Sequence, residues 1–235
     1  MKIQILQLIE GAKKAEGLTV VIDVFRAFST ACYVMENGAE QIIPIGDIDI
    51  MYSLKEQNPD FILIGERKGI IQRGFDYGNS PTQIRDISFE GKTVLQTTSA
   101  GTQGIVNAKN ASEIITGSFV NAQAIVEYIR MKNPELVSLV CMGREGLEIN
   151  DEDTLCAEYI KNTLENNESD FEEMTEIIKN GSGRRFFELK NQEFSPESDF
   201  HLCLELNKFN FILKADNYLN DLVCLKRIGI DNNAE

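Results

Sequence analysis

Short runs of apolar, mostly β-branched residues alternate along the chain with longer segments whose apolar residues recur every three or four positions. The short runs predict buried strands, and the longer segments predict helices that pack against them. Strands are predicted at residues 2–6, 19–22, 41–45, 61–64, 93–95, 113–116, 136–141 and 222–225. Helices are predicted at residues 28–37, 49–57, 101–109, 120–131, 150–164, 166–180 and 199–206, with Ser118 capping the fourth and a solvated surface for the sixth.

The order of these elements repeats within the chain. Residues 38–43 correspond to residues 110–115, and Gly65-Glu66-Arg67 stands where Gly143-Arg144-Glu145 does. The repeat, at about residues 19–69 and 93–146, is too long and has too few copies for a solenoid. It predicts a duplicated β-α-β-α-β unit within a single α/β domain over residues 1–235, with a mostly parallel sheet and helices on both faces.

Polar residues collect at the ends of the predicted strands. In parallel sheets, ligands bind at the carboxyl ends of strands near a topological switch. The residues at these ends are Asp23 with Arg26, Glu66 with Arg67, the loop at residues 97–102, and Arg144. Between the two halves lies a glycine-containing loop at residues 73–81, and its end at residues 80–83 predicts a helix start with a capping box.

The loop at residues 97–102 joins a buried strand to a predicted helix and contains four hydroxyl residues and Gly101. Backbone N–H groups at a helix start lack partners and lie at the positive end of the helix dipole, so this layout suits an anion. The hydroxyls of Thr97, Thr98 and Thr102 would add donors. An ordinary helix N-cap with spare threonines is the alternative.

Net charge, apolar runs and cysteine spacing limit which partners and which cellular compartment are expected. The net charge of −14 argues against nucleic acid and anionic membranes as partners. No signal peptide and no run of about 18 apolar residues is present, so we expect a soluble cytoplasmic protein. Five cysteines without a Cys-x-x-Cys pair predict free, buried thiols rather than disulfides or a zinc site.

The residue types also narrow the chemistry. His201 is the single histidine and lies in an apolar stretch, where a structural role is expected, so a histidine phosphoenzyme or a Ser-His-Asp hydrolase is not predicted. Neither a cysteine phosphatase spacing nor a Walker loop occurs. Residues 47–49 resemble an Asp-x-Asp phosphatase motif but do not directly follow a strand. Carboxylates and arginines remain, which is the equipment of a magnesium-assisted reaction at a phosphate.

Several alternatives stay open for these charged residues. The candidate magnesium ligands are Asp23, Glu66, Asp76, Glu152 and Asp153, although the last two also complement a helix dipole. The guanidinium groups of the three strand-end arginines match phosphate, sulfonate or carboxylate, although each could instead form a surface ion pair. Residues 181–187 are interpreted as a turn and linker, because no Lys-Ser/Thr follows the glycines.

Together these motifs resemble the 2-phosphosulfolactate phosphatase family. The similarity runs from about residue 19 to residue 157, with a weaker part at residues 199–204, and its motifs occur in the family's order. The segments that carry it are residues 21–30, 65–67, 74–81, 97–102, 143–146 and 152–157.

The resemblance implies a three-layer α/β/α fold with a mostly parallel or mixed sheet. It also implies a magnesium-dependent phosphatase that converts 2-phospho-3-sulfolactate to sulfolactate and phosphate, a step of coenzyme M biosynthesis. We therefore predict catalytic roles for Asp23, Arg26, Glu66 and Arg67, substrate binding by Asn79, Ser80, Thr97, Thr98, Gly101, Thr102 and Arg144, and metal binding by Asp23, Asp76, Glu152 and Asp153.

Other functions fit the same residues. The chain could be a phosphatase for a different small phospho-acid, because nothing in the sequence distinguishes a sulfonate from a second carboxylate. It could also be a non-catalytic small-anion binding protein on the same scaffold. The sequence leaves open whether water or an aspartate attacks the phosphate, and it leaves the oligomeric state open, with a homodimer as one alternative.

Overall fold

The structure is a computed structural model that describes residues 1–219 and 222–230. Within these residues the strands are β1 (Lys2–Gln7), β2 (Gly17–Ile22), β3 (Gln41–Pro44), β4 (Ile62–Gly65), β5 (Thr93–Thr97), β6 (Ala111–Gly117), β7 (Leu136–Cys141), β8 (Phe211–Asn217) and β9 (Val223–Gly229). The α-helices are α1 (Leu8–Lys14), α2 (Ala27–Glu36), α3 (Ile48–Gln57), α4 (Pro81–Ile84), α5 (Gly101–Asn107), α6 (Ala122–Lys132), α7 (Asp151–Leu164), α8 (Phe171–Asn180) and α9 (Glu197–Cys203). Short 3-10 helices span Phe119–Asn121, Ser182–Phe187 and Leu189–Asn191.

The predicted elements are present, with a few differences at their ends. Ser118 forms the expected cap, and its capping box with Asn121 opens the 3-10 helix before α6. Helix α8 is shorter than predicted and amphipathic, because it buries Met174 and Ile178. Helix α1 and strand β8 were not predicted; β8 carries three apolar residues at one end and polar residues at the other, which gave no clear period.

The strands form one mixed sheet in the order β1-β7-β2-β6-β8-β9-β3-β5-β4. The pairs among β1, β7, β2 and β6 are parallel, and so are those among β3, β5 and β4. The hairpin of β8 and β9 is antiparallel and joins these two parallel groups through short contacts with β6 and β3. The predicted α/β class with a mostly parallel or mixed sheet is therefore confirmed.

The two sequence repeats interlock in this sheet. The first repeat contributes β2, β3 and β4, and the second contributes β5, β6 and β7. Strand β2 lies between β7 and β6 of the second repeat, and β5 lies between β3 and β4 of the first. The first strand of each repeat therefore lies between two strands of the other repeat, so the two copies share one sheet rather than folding side by side.

Alternate residues of the strands enter different cores, as the period of a strand requires. Val21, Val140, Ile42 and Val94 pack with α1, α2 and α5 in one core. On the opposite face, the alternate residues of β2 and β7 pack with α6 and α7, and those of β3, β4 and β5 pack with α3. The helices thus cover both faces of the sheet, which gives the expected three layers.

The cysteines are all buried and free, as predicted from their spacing. In the described part of the chain, no helix is both long enough and apolar enough to cross a membrane. His201 is largely exposed at the surface on α9, where its ring lies edge-on to Phe187 and Phe200.

Candidate functional site

A cleft of about 730 Å³ opens at the carboxyl ends of β2, β4, β5 and β7. This is the edge of the sheet at which the sequence predicted a ligand site. Of the residues that the sequence singled out, the cleft is lined by Asp23, Arg26, Glu66, Asn79, Thr98, Arg144 and Glu152. These residues come from both repeats, from the loop between them and from α7, so the site is assembled by the tertiary fold.

Asp23 follows β2 and is the most buried carboxylate of the predicted catalytic set. Its Oδ1 accepts a hydrogen bond from the backbone N–H of Ala27 at 3.1 Å. Burial, together with the negative charges of Glu66 and Glu152, raises its pKa to about 7 despite that bond. A carboxylate in this environment gains from a nearby cation.

Glu152 and Asp153 both lie in the first turn of α7, but they have different surroundings. Asp153 accepts backbone hydrogen bonds from Val24 and Gly143, each at 2.8 Å, so its carboxylate ties the ends of β2 and β7 together. Glu152 lines the cleft and accepts hydrogen bonds from Asn150 and from the hydroxyl of Ser182. Burial raises the pKa of Glu152, while the charge of Arg185 lowers it.

The structure does not bring Asp76 to the cleft. Its carboxylate accepts a hydrogen bond from the N–H of Leu63 at 2.8 Å and lies 3.9 Å from the amine of Lys55. Of the four predicted metal ligands, Asp23 and Glu152 therefore face the cleft, whereas Asp153 and Asp76 are bonded to backbone.

The donor set of the cleft fits magnesium better than a metal that needs a full protein cage. Among the described residues, no group of three or more histidine, cysteine or carboxylate side chains is arranged to hold a metal by itself. Magnesium usually takes one or two carboxylates and fills the rest of its shell with water and phosphate oxygens. Asp23 and Glu152, two buried carboxylates that line the cleft, match that number of protein ligands.

Many hydrogen-bond donors of the hydroxyl-rich loop at residues 97–102 are used in bonds within the protein. The N–H of Thr98 donates to the hydroxyl of Thr102, and the N–H of Thr102 donates to the hydroxyl of Thr98. The Thr97 hydroxyl donates to the carbonyl of Ile45. Gly101 gives the loop its close approach to Asp23, because a Cβ there would lie 2.8 Å from Asp23 Oδ2. The loop forms part of the cleft wall, which is lined by Thr98, Ser99 and Ala100.

Glu66 and Arg67 follow β4, and their side chains form hydrogen bonds with residues at the end of β5. Both carboxylate oxygens of Glu66 accept backbone hydrogen bonds, Oε1 from Ser99 at 2.7 Å and Oε2 from Gly69. Arg67 turns away from the main cleft and donates to the carbonyl of Gly46 at 3.0 Å and to the hydroxyl of Thr97 at 2.5 Å. Only Gly65 fits before them, since its φ is +147° and a Cβ would meet the carbonyl of Thr97 at 2.0 Å.

Arg26 is held by a residue that was not among the predicted site residues. Asp199, fully buried on α9, accepts a hydrogen bond from Arg26 Nη1 at 2.5 Å. Its other oxygen accepts from the hydroxyl of Ser80 at 2.9 Å and from the N–H of Thr82 at 2.8 Å. The predicted capping box at residues 80–83 is therefore wrong: the Ser80 hydroxyl bonds to Asp199 and makes no cap.

Asn79 is a predicted substrate-binding residue whose side chain has a hydrogen-bond acceptor that no described residue uses. Its side chain is 5% exposed and lines the cleft, and its Oδ1 has no hydrogen-bond partner among the described residues. Buried amide oxygens are rarely left unpaired, because the lost hydrogen bond with water costs free energy. A ligand or an ordered water in the cleft would supply that partner.

The interpretation of residues 181–187 as a linker is wrong. This segment forms the Ser182–Phe187 3-10 helix, and Ser182, Arg184 and Arg185 line the cleft. Lys68, after β4, lines it as well. The sequence signal was a pair of arginines followed by two phenylalanines, but without a strand before it nothing tied the segment to the site.

The comparisons with known proteins agree with this geometry. The family model described as 2-phosphosulpholactate phosphatase matches residues 3–217. A probable 2-phosphosulfolactate phosphatase of Bacillus subtilis (strain 168) is 32% identical over 202 residues, which cover 84% of this chain and 86% of that protein. A protein of the same printed name from Caldanaerobacter subterraneus subsp. tengcongensis is 31% identical over 221 residues, covering 86% and 89%.

A third relative is more similar over a shorter length. The probable 2-phosphosulfolactate phosphatase of Caldicellulosiruptor saccharolyticus is 40% identical over 148 residues, which are 61% of each chain. The family match extends over all strands up to β8 and includes the residues that line the cleft. The chain, a phosphoric monoester hydrolase by these relationships, therefore belongs to the 2-phosphosulpholactate phosphatase family.

Proposed function

We propose that this protein is a magnesium-dependent phosphatase that hydrolyses 2-phospho-3-sulfolactate to 3-sulfolactate and phosphate, as in coenzyme M biosynthesis. The observation that carries the proposal is one cleft that is lined both by the buried carboxylates Asp23 and Glu152 and by several cationic side chains. The names of the relatives support the choice of substrate. The substrate has phosphate, sulfonate and carboxylate groups, and it suits a cleft lined by several arginines.

Asp23 and Glu152 would hold the magnesium ion. When bound, magnesium neutralises negative charge on the phosphoryl oxygens and polarises the phosphorus for attack. Both carboxylates are held by hydrogen bonds, which supports this role. Asp23 is positioned by the N–H of Ala27, and Glu152 is positioned by Asn150 and Ser182.

The cationic and amide side chains would orient the anionic groups of the substrate. Arg26, fixed by Asp199, and Arg144 at the end of β7 supply positive charge, and Asn79 supplies a buried polar group. Water attacks phosphorus in line as the bond from phosphorus to the ester oxygen breaks, and the alkoxide that leaves takes up a proton. Catalysis by such a site comes mainly from positioning and charge stabilisation.

The cytoplasm is the compartment that we propose, since five free and buried thiols suit a reducing environment. The net charge of −14 argues against a nucleic-acid partner, and the arginines that line the cleft would supply the local positive charge that a small anionic substrate needs. A homodimer is the assembly that we propose to test by light scattering.

The proposal is tested by phosphate release from racemic 2-phosphosulfolactate and from phospholactate, each with magnesium and with a chelator. We expect rapid release from the sulfonated ester in the presence of magnesium and none with chelator. Asp23→Asn should lower kcat at least about 1000-fold with the fold intact, because it removes a ligand charge from the reaction centre. Asp49→Asn, at an exposed position on α3, is the matched control and should behave as wild type.

Each outcome of this assay has a defined reading. Equal rates on the two esters would keep the phosphatase and discard the sulfonated substrate. Release that persists in chelator would remove magnesium from the proposal. A folded protein that binds the esters without hydrolysing them would favour the alternative of a small-anion binding protein on this scaffold.

A further inference from the structure

Arg185 lies in a segment that is firmly attached to the wall of the cleft. The N–H of Ser182 donates to the carboxylate of Asp151 at 3.2 Å, and the Ser182 hydroxyl donates to Glu152. Phe186 is fully buried and packs edge-on against Phe25 with ring centroids 4.8 Å apart. The backbone on both sides of Arg185 is therefore anchored, one side to α7 and the other to the core.

The guanidinium of Arg185 is held by rings rather than by a carboxylate. Its Cζ lies 5.0 Å from the centroid of Phe186 and 6.0 Å from that of Phe25. One Nη donates to the carbonyl of Phe25 at 3.3 Å, while the buried Nε has no partner among the described residues. No Arg185 ion pair within 4.0 Å occurs in residues 1–219 and 222–230.

Other cations surround this side chain. Arg26 lies over the same Phe186 ring, with its Cζ 5.9 Å from the centroid. Burial lowers the pKa of Arg185; the charges of Glu152 and Asp23 raise it, while those of Arg26 and Arg144 lower it. The buried Nε of Arg185, unpaired among the described residues, has a donor hydrogen free for an anion, and the carboxylates nearby are the ones expected to face a cation.

We propose that Arg185 binds the phosphoryl group of the substrate, with Nε and Nη donating to two of its oxygens. The inference rests on the proposed function and adds a phosphate-binding residue from the C-terminal part of the chain. The phosphoryl group is assigned rather than the sulfonate or carboxylate because the 3-10 helix that carries Arg185 is bonded through the Ser182 hydroxyl to Glu152, one of the two carboxylates proposed to hold the metal. A planar guanidinium can donate to two phosphoryl oxygens at once, and the neighbouring aromatic rings hold the group in one orientation.

The test compares Arg185→Gln and Arg185→Lys with the wild-type protein. A matched control is Lys190→Gln, which removes one positive charge from an exposed site nearby, outside the cleft. Binding of inorganic phosphate with magnesium is measured by calorimetry. The kcat/KM is measured for 2-phosphosulfolactate and for methyl phosphate, which has no second acidic group, and thermal unfolding verifies that each variant is folded.

We expect Arg185→Gln to weaken phosphate binding at least about tenfold and to lower kcat/KM about 100-fold by the same factor on both esters. Arg185→Lys should lose less phosphate binding and less kcat/KM than Arg185→Gln, because it keeps the positive charge. It should not reach wild type, because lysine lacks the planar guanidinium. Lys190→Gln should match wild type.

Two results would overturn the assignment. A loss confined to the sulfonated ester, with phosphate binding unchanged, would place Arg185 at the other acidic group. Unchanged phosphate binding and turnover in folded Arg185→Gln would make Arg185 structural. If the wild-type protein hydrolyses neither ester but loses phosphate binding through Arg185→Gln, the proposed function fails while the phosphate site stands.

Discussion

At the scale of single residues, each buried charge of the cleft has its own set of partners, and those partners separate structural from reactive groups. Asp153 has both oxygens bonded to backbone N–H groups of neighbouring strand ends, so it is committed to the fold. Asp199 is likewise fully used by Arg26, Ser80 and Thr82. Asp23 accepts one backbone bond on Oδ1 and keeps its face to the cleft.

The Arg26–Asp199 pair gives a prediction at this scale. Asp199→Ala leaves the Arg26 guanidinium, 6% exposed, without its counter-charge, and it also removes the acceptor of Ser80. Loss of one partner from a buried ion pair typically costs about 3–5 kcal/mol, so we expect a decrease of that size in the free energy of unfolding by urea.

The control for this prediction lies on the same helix. Glu197 and His201 form an exposed pair at 3.8 Å, and Glu197→Ala should change the unfolding free energy by less than about 0.5 kcal/mol. If Asp199→Ala were as mild as Glu197→Ala, the buried pair would not stabilise the fold, and another group would have to balance Arg26.

At the scale of elements, the site depends on how closely two repeats approach each other. Helix α5 begins directly against the end of β2, and Gly101 makes that contact possible. A Cβ at this position would lie 2.7 Å from Ala27 Cβ and 2.8 Å from Asp23 Oδ2, closer than non-bonded atoms sit. The first helix turn of one repeat therefore sets the position of the carboxylate that follows the first strand of the other.

Gly101→Ala tests this contact. The added methyl should displace α5 or Asp23, destabilise the fold by about 1–3 kcal/mol, and lower kcat more than the stability loss explains. Thermal unfolding and the turnover of 2-phosphosulfolactate measure the two effects. Gly229→Ala is the control, because no atom of residues 1–219 and 222–230 lies within 4 Å of its added Cβ. An active Gly101→Ala enzyme would show that the close approach does not position Asp23.

At the scale of the whole molecule, acidic groups from distant parts of the chain are concentrated in one cleft. Asp23 comes from the first repeat, while Glu152 follows the second repeat and is braced by Ser182 from the C-terminal part. Burial raises the pKa values of Asp23 and Glu152 above their ordinary range. The metal-free protein thus carries a local electrostatic cost that a bound cation would offset.

This cost predicts an unusual dependence of stability on pH. Asp23 has a folded pKa of about 7 against an ordinary value of 3.8, so between these values the folded state binds a proton that the unfolded state has lost. The stability of the metal-free protein should therefore fall as pH rises from about 4 to about 7. Magnesium should raise Tm more at pH 8 than at pH 5, because only the ionised carboxylates bind it.

Thermal unfolding across this pH range, with magnesium and with chelator, measures the effect. Asp23→Asn is the control and should flatten the decline, because the amide does not titrate. A metal-free protein whose stability is level or rises from pH 5 to pH 7 would contradict the prediction.

The predictable part of the fold and of the site followed from local signals. β2, β5 and β7 have strong apolar runs, and their ends placed Asp23, Thr98 and Arg144 at one edge of the sheet, where they line the cleft. The unpredicted part involved long-range partners. Asp199 and Ser80 are 119 positions apart, and nothing near either residue indicates their hydrogen bond.

The sequence by itself determined the class of fold, the position of every strand except β8 and the edge at which the ligand site lies, because these depend on the local period of apolar residues and on motifs at strand ends. The tertiary structure alone decided which charged residues face the cleft. Arg67 and Asp76 are bonded to other parts of the fold, while Arg185 enters from a segment that looked like a linker. The physical reason is that a side chain's role depends on the partners that desolvate and pair it, and here those partners come from interlocked repeats and the C-terminal segment.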